Sequence, residues 1–301
     1  MNAAGEAVMR IHAIGIIGFG EAGSILGEEL AAVGAPVTAY DILFDAPASQ
    51  EALRAKAAKL KVRAADTAEA AVAGADLIIS AVTAGSSGSV AAQAAKALRA
   101  GQVFLDINSV SPATKRANAE LVEACGADYV EAAVMAPVPP QRLKVPMLLG
   151  GRRAEPVAQA LRALGMNATA IADHIGVASA VKMCRSIMIK GIEALTVECM
   201  LAARRFGAEK EVLASLHGTY PAMGWLDALP DYLVSRVAEH GRRRAAEMRE
   251  VALTLADVDL EPVMALAIAA RQDWLIDAMA GKGVAYPRDR TFSWRALADA
   301  L

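Results

Sequence analysis

The sequence predicts an α/β chain: a doubly wound, mostly parallel sheet over residues 1–175, followed by an all-helical region over 176–301. Three observations carry this. Short apolar or β-branched runs alternate with alanine-rich stretches through the first half, the pattern of repeated βα units. Those runs are close to continuously apolar, as expected for parallel strands covered on both faces. After residue 175 the alternation stops and long helical patterns replace it.

Residues 12–17 (HAIGII) predict the first strand and 21–33 the first helix. A strand at 36–40 (PVTAY) precedes a helix at 48–60, and a short strand at 62–64 precedes a helix at 67–74. The run 76–82 (DLIISAV) predicts a buried strand, with a helix at 87–99. Residues 102–107 (QVFLDI) predict a strand, and Ser111-Pro112 then opens a helix to 125, with Ser111 as N-cap. Further strands are expected at 128–134 and 146–149, and none after 173. From Gly176 to Phe206 one helical pattern runs without proline, about 45 Å at 1.5 Å per residue. That is too long to cover one sheet and reads as a spine joining domains or subunits. Helices at 208–216, 229–257 and 261–280 follow, with Trp225, Trp274 and Trp294 expected as packing residues.

Composition excludes several classes. The 301 residues are 55% hydrophobic and 21% charged with a net charge of −2, which argues against disorder and against a general nucleic-acid binder. Alanine is nearly a quarter of the chain while aromatics are 4%, which favours helix. Cys125, Cys184 and Cys199 are odd in number and dispersed, so neither a disulfide framework nor a metal site is expected. The start of the chain, with Glu6 and a short apolar stretch, lacks a leader pattern, and no apolar run is long enough to span a bilayer. A cytoplasmic protein acting on a small molecule, without nucleic-acid or membrane partners, is expected.

The first strand runs into Gly18-Phe19-Gly20-Glu21-Ala22-Gly23, a GxGxxG turn in its confirming context of strand, turn and helix. Gly18 permits the tight turn, Gly20 lets backbone approach a pyrophosphate, and Gly23 allows close helix–strand packing. The helix N-terminus then offers its unpaired N–H groups to the phosphates. Asp41, at the end of the second strand, suits the ribose hydroxyls of NAD, and no arginine follows it directly; Arg54 or Lys56 folding back would instead suit NADP. Val82, closing the fourth run, is a further cofactor-facing candidate.

These features resemble the β-hydroxyacid dehydrogenases, the family of 3-hydroxyisobutyrate and 6-phosphogluconate dehydrogenases, over most of residues 10–207. The C-terminal part, with His240-Gly241-Arg242-Arg243-Arg244 and Glu247-Met248, resembles the uncharacterised helical domain of a 6-phosphogluconate-dehydrogenase-like subgroup. The resemblance implies a Rossmann-type NAD(P)-binding domain and a helical domain for substrate and dimerisation. It makes Asp106-Ile107-Asn108-Ser109-Val110-Ser111-Pro112 the segment that contacts cofactor and substrate, through Asn108 and Ser109 at a strand's C-terminal end. It makes Lys182, six residues after Gly176, the proton-transferring group, its pKa lowered by an apolar stretch.

The sequence also departs from the family. Ser186 stands where asparagine is expected one turn after Lys182, preceded by Arg185, which could clamp a carboxylate. Met135-Ala136-Pro137 replaces the glycine-rich cradle, and Pro139 and Pro140 also lack an N–H, which implies an altered substrate contacting Met135. Ile189 occupies the place of the decarboxylating members' glutamate, and Glu193 stands too far along the helix to replace it, so oxidation or reduction without decarboxylation is expected. Lys190 reads as a polar helix position or a further site residue. Arg242–Arg244 read as a solvated face or intersubunit ion pairs, and His240 as structural. The expected protein is an NAD-dependent (alternatively NADP-dependent) oxidoreductase of a hydroxy-acid-like substrate, its site in the cleft between the domains, in a homodimer with intertwined helical domains. An imine or ketone reductase of the same architecture and a non-catalytic NAD-binding sensor are the competing readings.

Overall fold

The computed structural model describes residues 9–289 and 291–301; Glu6, used above against a leader, lies outside them. The chain divides into two compact units, one ending at Lys182 and the other beginning at Met183.

The first unit runs β1 (Ile14–Ile17), α1 (Glu21–Ala32), β2 (Val37–Tyr40), α2 (Gln50–Lys59), β3 (Arg63–Ala64), α3 (Ala68–Val72), β4 (Leu77–Ser80), α4 (Ser87–Ala95), β5 (Val103–Asp106), α5 (Pro112–Glu123), β6 (Asp128–Val134), α6 (Val138–Gln141), β7 (Pro146–Gly150), α7 (Ala154–Ala163) and β8 (Asn167–Ala172). The eight strands form one sheet in the order β3-β2-β1-β4-β5-β6-β7-β8. All pairings are parallel except β6 with β7. The chain leaves β1 toward one edge and returns at β4 on its other side, so the ligand crevice of such a sheet lies at the carboxyl ends of these two strands.

The continuous apolar runs become two cores. Ile14, Ile16, Leu77, Ile79, Val103, Leu105, Val130 and Ala132 pack on one face of the sheet. Ile17, Ile78, Phe104 and Tyr129, the alternate positions, pack on the other. A strand side chain points to alternate faces, so no position on a sheet covered twice is left for solvent. Each aliphatic side chain so buried contributes about 1.5–3 kcal/mol.

Three elements of this unit escaped the sequence reading, the short α6 among its prolines being one. β8 is an edge strand bonded to β7, and its alternation Asn-Ala-Thr-Ala-Ile-Ala has little apolar contrast. α7 carried a legible signal in Ala154, Val157, Ala158 and Leu161, spaced as one buried helix face.

The second unit holds most of α8 (Val177–Phe206), then α9 (Glu209–Thr219), α10 (Leu229–Ala256), α11 (Val263–Gly281) and α12 (Trp294–Ala300). The units part seven residues beyond the expected border, because the first turn of α8 is tied to β6 by the hydrogen bonds described below. Gly241 lets α10 and α11 approach closely: a Cβ there would stand 2.9 Å from the Gln272 carbonyl oxygen. Trp225 and Trp294 are core residues as expected, whereas Trp274 is partly exposed beneath the Arg271 guanidinium. Among the described residues, no helix is long and apolar enough to cross a membrane and no cluster of acids, histidines and cysteines could hold a metal.

Candidate active site

The glycine-rich turn sits at the carboxyl end of β1. Gly18 has φ +97°, and a Cβ there would stand 2.4 Å from the Ala81 carbonyl oxygen at the end of β4. A Cβ on Gly23 would meet the Gly18 carbonyl oxygen at 1.9 Å. Both glycines are therefore required by the protein itself. Gly20 is different: it is exposed, it is the N-cap of α1 without a side-chain cap, and nothing lies within 4 Å of its absent Cβ. Bare backbone beside open space at a helix N-terminus, at the switch point of the sheet, fits a pyrophosphate.

Asp41 closes the turn from β2. Its Oδ2 accepts from the Phe19 N–H at 2.6 Å and its Oδ1 from the Leu43 N–H at 2.9 Å. The carboxylate thus stands at the mouth of the loop with lone pairs to spare for a ribose. Phe19 supplies only backbone there, since its ring is buried against Phe44, 5.7 Å between centroids. Glu21 is exposed and Ala22 half-buried in the first turn of α1. Of the two cations that could serve a phosphorylated ribose, Arg54 is paired with Asp66 at 3.0 Å, and Lys56 donates to Ser24 Oγ at 2.9 Å.

Beside this turn lies a buried polar network at the end of β5. Asp106 and Lys115 are each 1% exposed and pair at 2.9 Å. Lys115 also donates to the Asp106 carbonyl at 2.7 Å. The Asp106 carboxylate further accepts from Tyr129 OH at 2.7 Å, Asn118 Nδ2 at 3.2 Å and the Asn108 N–H at 2.9 Å. Burial raises the carboxyl's pKa, but the Lys115 ammonium and these donors outweigh it and hold Asp106 below its usual range. Tyr129 is pushed well above its ordinary value, by burial first and then by the Asp106 charge.

Asn108 belongs to this network. Its Nδ2 donates to Ser80 Oγ at 2.9 Å and Ser87 Oγ at 3.3 Å, and its Oδ1 accepts from the Val82 N–H at 2.7 Å. Both amide hydrogens thus have partners within the protein, and Asn108 ties the β4 and β5 ends together. Val82 is held beside the glycine turn, its Cγ1 2.9 Å from where a Gly18 Cβ would be. Ser111 caps α5 as expected, accepting from the Thr114 N–H at 3.2 Å.

The next residue, Ser109, is half-buried, and the Lys182 ammonium donates to its Oγ at 2.5 Å. Two residues 73 apart in sequence, each singled out above, therefore meet. The first turn of α8, which leads to Lys182, is bonded to Glu131, fully buried on β6, which the sequence reading missed. Its Oε1 accepts from the Gly176 and Ala178 N–H groups at 2.7 and 3.0 Å. Its Oε2 accepts from Ser179 N–H and Oγ at 3.3 and 2.7 Å. Met135 follows β6, half-buried, with its N–H on the Pro146 carbonyl.

In the helical unit, Ser186 is buried and accepts from Lys190 at 3.3 Å, while Arg185 is exposed. Lys190 is 4% exposed, not a solvated helix position, and pairs with Glu247 at 2.6 Å. Burial lowers its pKa against the opposing pull of Glu247. Glu193 is buried on Arg244, and burial raises its pKa although Arg244 and Arg236 oppose the shift. The three arginines read together in sequence separate: Arg242 pairs with Asp273 and Asp277, Arg243 is exposed near Glu247, and Arg244 turns inward. His240 does have an acidic neighbour, Glu239 at 3.2 Å, but burial lowers its pKa, helped by Arg243, Arg236 and Arg244.

Residues 13–176 match the NAD-binding domain of 6-phosphogluconate dehydrogenase. The chain belongs to that family. Residues 203–275 match a domain of unknown function (DUF1932), so the family member is of the subgroup anticipated from its helical half. A conserved hypothetical protein of Sinorhizobium meliloti 1021 shares 39% identity, with a TM-score of 0.75 over 100% of this chain and 99% of that one. A second solved structure, of a conserved protein of unknown function described as similar to 3-hydroxyacid dehydrogenases, shares 31% identity over 89% of this chain and 98% of its own, with a TM-score of 0.69. The Mycobacterium tuberculosis 3-hydroxyisobutyrate dehydrogenase with L-serine shares the fold at 17% identity, with a TM-score of 0.69 over 97% and 99% of the two chains. The family places this chain among nicotinamide-dependent oxidoreductases.

Proposed function

We propose that the protein transfers hydride between a nicotinamide cofactor and a small hydroxy-acid-like substrate, a 3-hydroxy acid or related alcohol or aldehyde, without decarboxylation. The observation that carries this is the Lys182–Ser109 contact at the carboxyl edge of the sheet. Gly18, Gly20 and Gly23 with the first turn of α1 would hold the pyrophosphate and Asp41 the ribose, which favours NAD over NADP. When bound, the nicotinamide accepts or supplies the hydride. In oxidation the neutral Lys182 amine takes the proton from the substrate hydroxyl, in reduction the ammonium returns it, and Ser109 Oγ holds the Lys182 nitrogen in place. Met135 is the proposed substrate contact within this unit, in keeping with a changed substrate end. Ile189, apolar where decarboxylation would need an acid, supports simple redox chemistry.

We further propose a cytoplasmic homodimer that uses the helical unit. On α8 the polar residues Ser186, Lys190 and Glu193 face inward while Met188 and Leu195 stand 65% and 61% exposed. An apolar face left to solvent on so long a helix favours a second copy. Purified protein with NAD and a panel of 3-hydroxy acids and aldehydes tests the main reading. Lys182→Ala should cut NADH formation about 10²-fold or more while NAD still binds. NAD binding without any Lys182-dependent turnover would overturn the reading, and tighter binding of NADP than of NAD would overturn the role of Asp41.

A further inference from the structure

We propose that Glu131 is the positioning residue for Lys182, acting through the first turn of α8; this rests on Lys182 carrying the proton. Glu131 and Asp106 are register neighbours on β6 and β5. Each anchors one half of the Ser109–Lys182 contact. Asp106 fixes the strand end that leads to Ser109, through the Asn108 N–H and Lys115. Glu131 fixes the helix that carries Lys182, through four donors from Gly176, Ala178 and Ser179.

The helix geometry makes this specific to Lys182. Ala178 and Ser179 are its i−4 and i−3 neighbours, so they lie one turn below it on the same face. Helical side chains lean back toward the N-terminus and lie over that turn. The turn gripped by Glu131 is therefore the surface along which the Lys182 stem must run to reach Ser109. A carboxylate suits the grip because it only accepts, and every partner here donates. Its charge also favours a helix N-terminus. The site cannot slacken easily: a Cβ on Gly150 of β7 would already stand 2.6 Å from Glu131 Oε1. A glutamine would bring two N–H groups against backbone donors and force the turn to shift.

The test is the reactivity of the Lys182 amine, which needs no turnover. Full-length protein is labelled with trace acetic anhydride across a pH series, and each lysine is read by peptide mass spectrometry, with exposed Lys144 and Lys282 as internal references. Glu131→Gln should raise the Lys182 labelling rate roughly tenfold, the loss of about one charge-assisted hydrogen bond, and shift its pH profile, while the references and NAD affinity stay unchanged. A folded Glu131→Gln protein with the wild-type Lys182 profile would overturn the proposal, leaving Glu131 an ordinary cap. Should that variant not fold, Ser179→Ala removes one of the four donors to Glu131, the hydroxyl, and should move Lys182 in the same direction; an unmoved profile there overturns it equally. Substrate turnover is scored separately. Released Lys182 in a protein that oxidises no substrate would support the positioning and reject the proposed reaction, whereas Lys182-dependent turnover with an unmoved profile would do the reverse.

Discussion

Each unit buries ion pairs, and they are built to different standards. In the sheet unit, the Asp106 carboxylate receives an ammonium, a phenol, an amide side chain and a backbone N–H, and the sum outweighs burial. In the helical unit, burial wins at both Lys190 and Glu193, whose pKa values move toward their neutral forms despite close partners. There Arg244 Nε and both polar atoms of Gln272 are buried without a hydrogen bond. Desolvation is offset only when the remaining lone pairs and protons are also satisfied. Strand ends, loop and helix converge on Asp106 from several directions, whereas the antiparallel helices α8 and α10 offer Glu193 few donors besides Arg244 and Lys190 few acceptors besides Glu247.

The comparison is testable. Lys115→Met strands the Asp106 charge and should cost the sheet unit about 3–5 kcal/mol, read by denaturant unfolding; a loss under about 1 kcal/mol, the worth of an ordinary hydrogen bond, would break the contrast. Replacing both members of a pair should separate the units next. Glu193→Met with Arg244→Met should be neutral or stabilising by about 1–4 kcal/mol. Asp106→Leu with Lys115→Met should destabilise, because Tyr129, Asn118 and the Asn108 N–H lose their acceptor.

Acid should then divide them. Asp106 has a folded pKa below its unfolded one, so its contribution is complete above the unfolded value and disappears as pH falls through the folded value. Glu193 has a raised folded pKa, so its contribution is complete below the unfolded value and is lost as pH rises through the folded one. Below the usual carboxylate range, near pH 4, amide protection should fall around β5 and β6 before the middle of α8; hydrogen exchange against pH reads this, and the opposite order would contradict it. The smallest effect belongs to Gln272→Leu. Removing a buried, unpartnered amide should raise stability by about 1 kcal/mol, visible as a higher Tm.

Much of this site was legible before the fold was seen. Gly18, Gly20, Gly23 and Asp41 carry their meaning in local spacing, because a tight turn, an open approach and a strand end are all short-range features. Lys182 and Ser109 stood out only through resemblance, and their meeting depends on two chain segments far apart in sequence. The internal bonds of Asn108 were not legible, since an amide at a strand end reads the same whether it faces a ligand or the scaffold. Lys115 gave no signal and Lys190 read as either a polar helix position or a site residue, because a helical lysine looks solvated until the opposing element is known. Glu131 hides within an apolar strand, where its partners lie 45 to 48 residues later.

By itself the sequence determined the class of the chain: the run of βα units, the place where strands end and helices take over, and the turn built for a dinucleotide. Hydrophobic period and glycine placement are read within a few residues, and they need no partner. Only the tertiary structure decided which charges are buried, which amides are spent on the scaffold, and that Asp106 and Glu131 stand side by side behind Ser109 and Lys182. Sheet register and helix packing set those pairings, and they join residues whose separation in sequence carries no local trace.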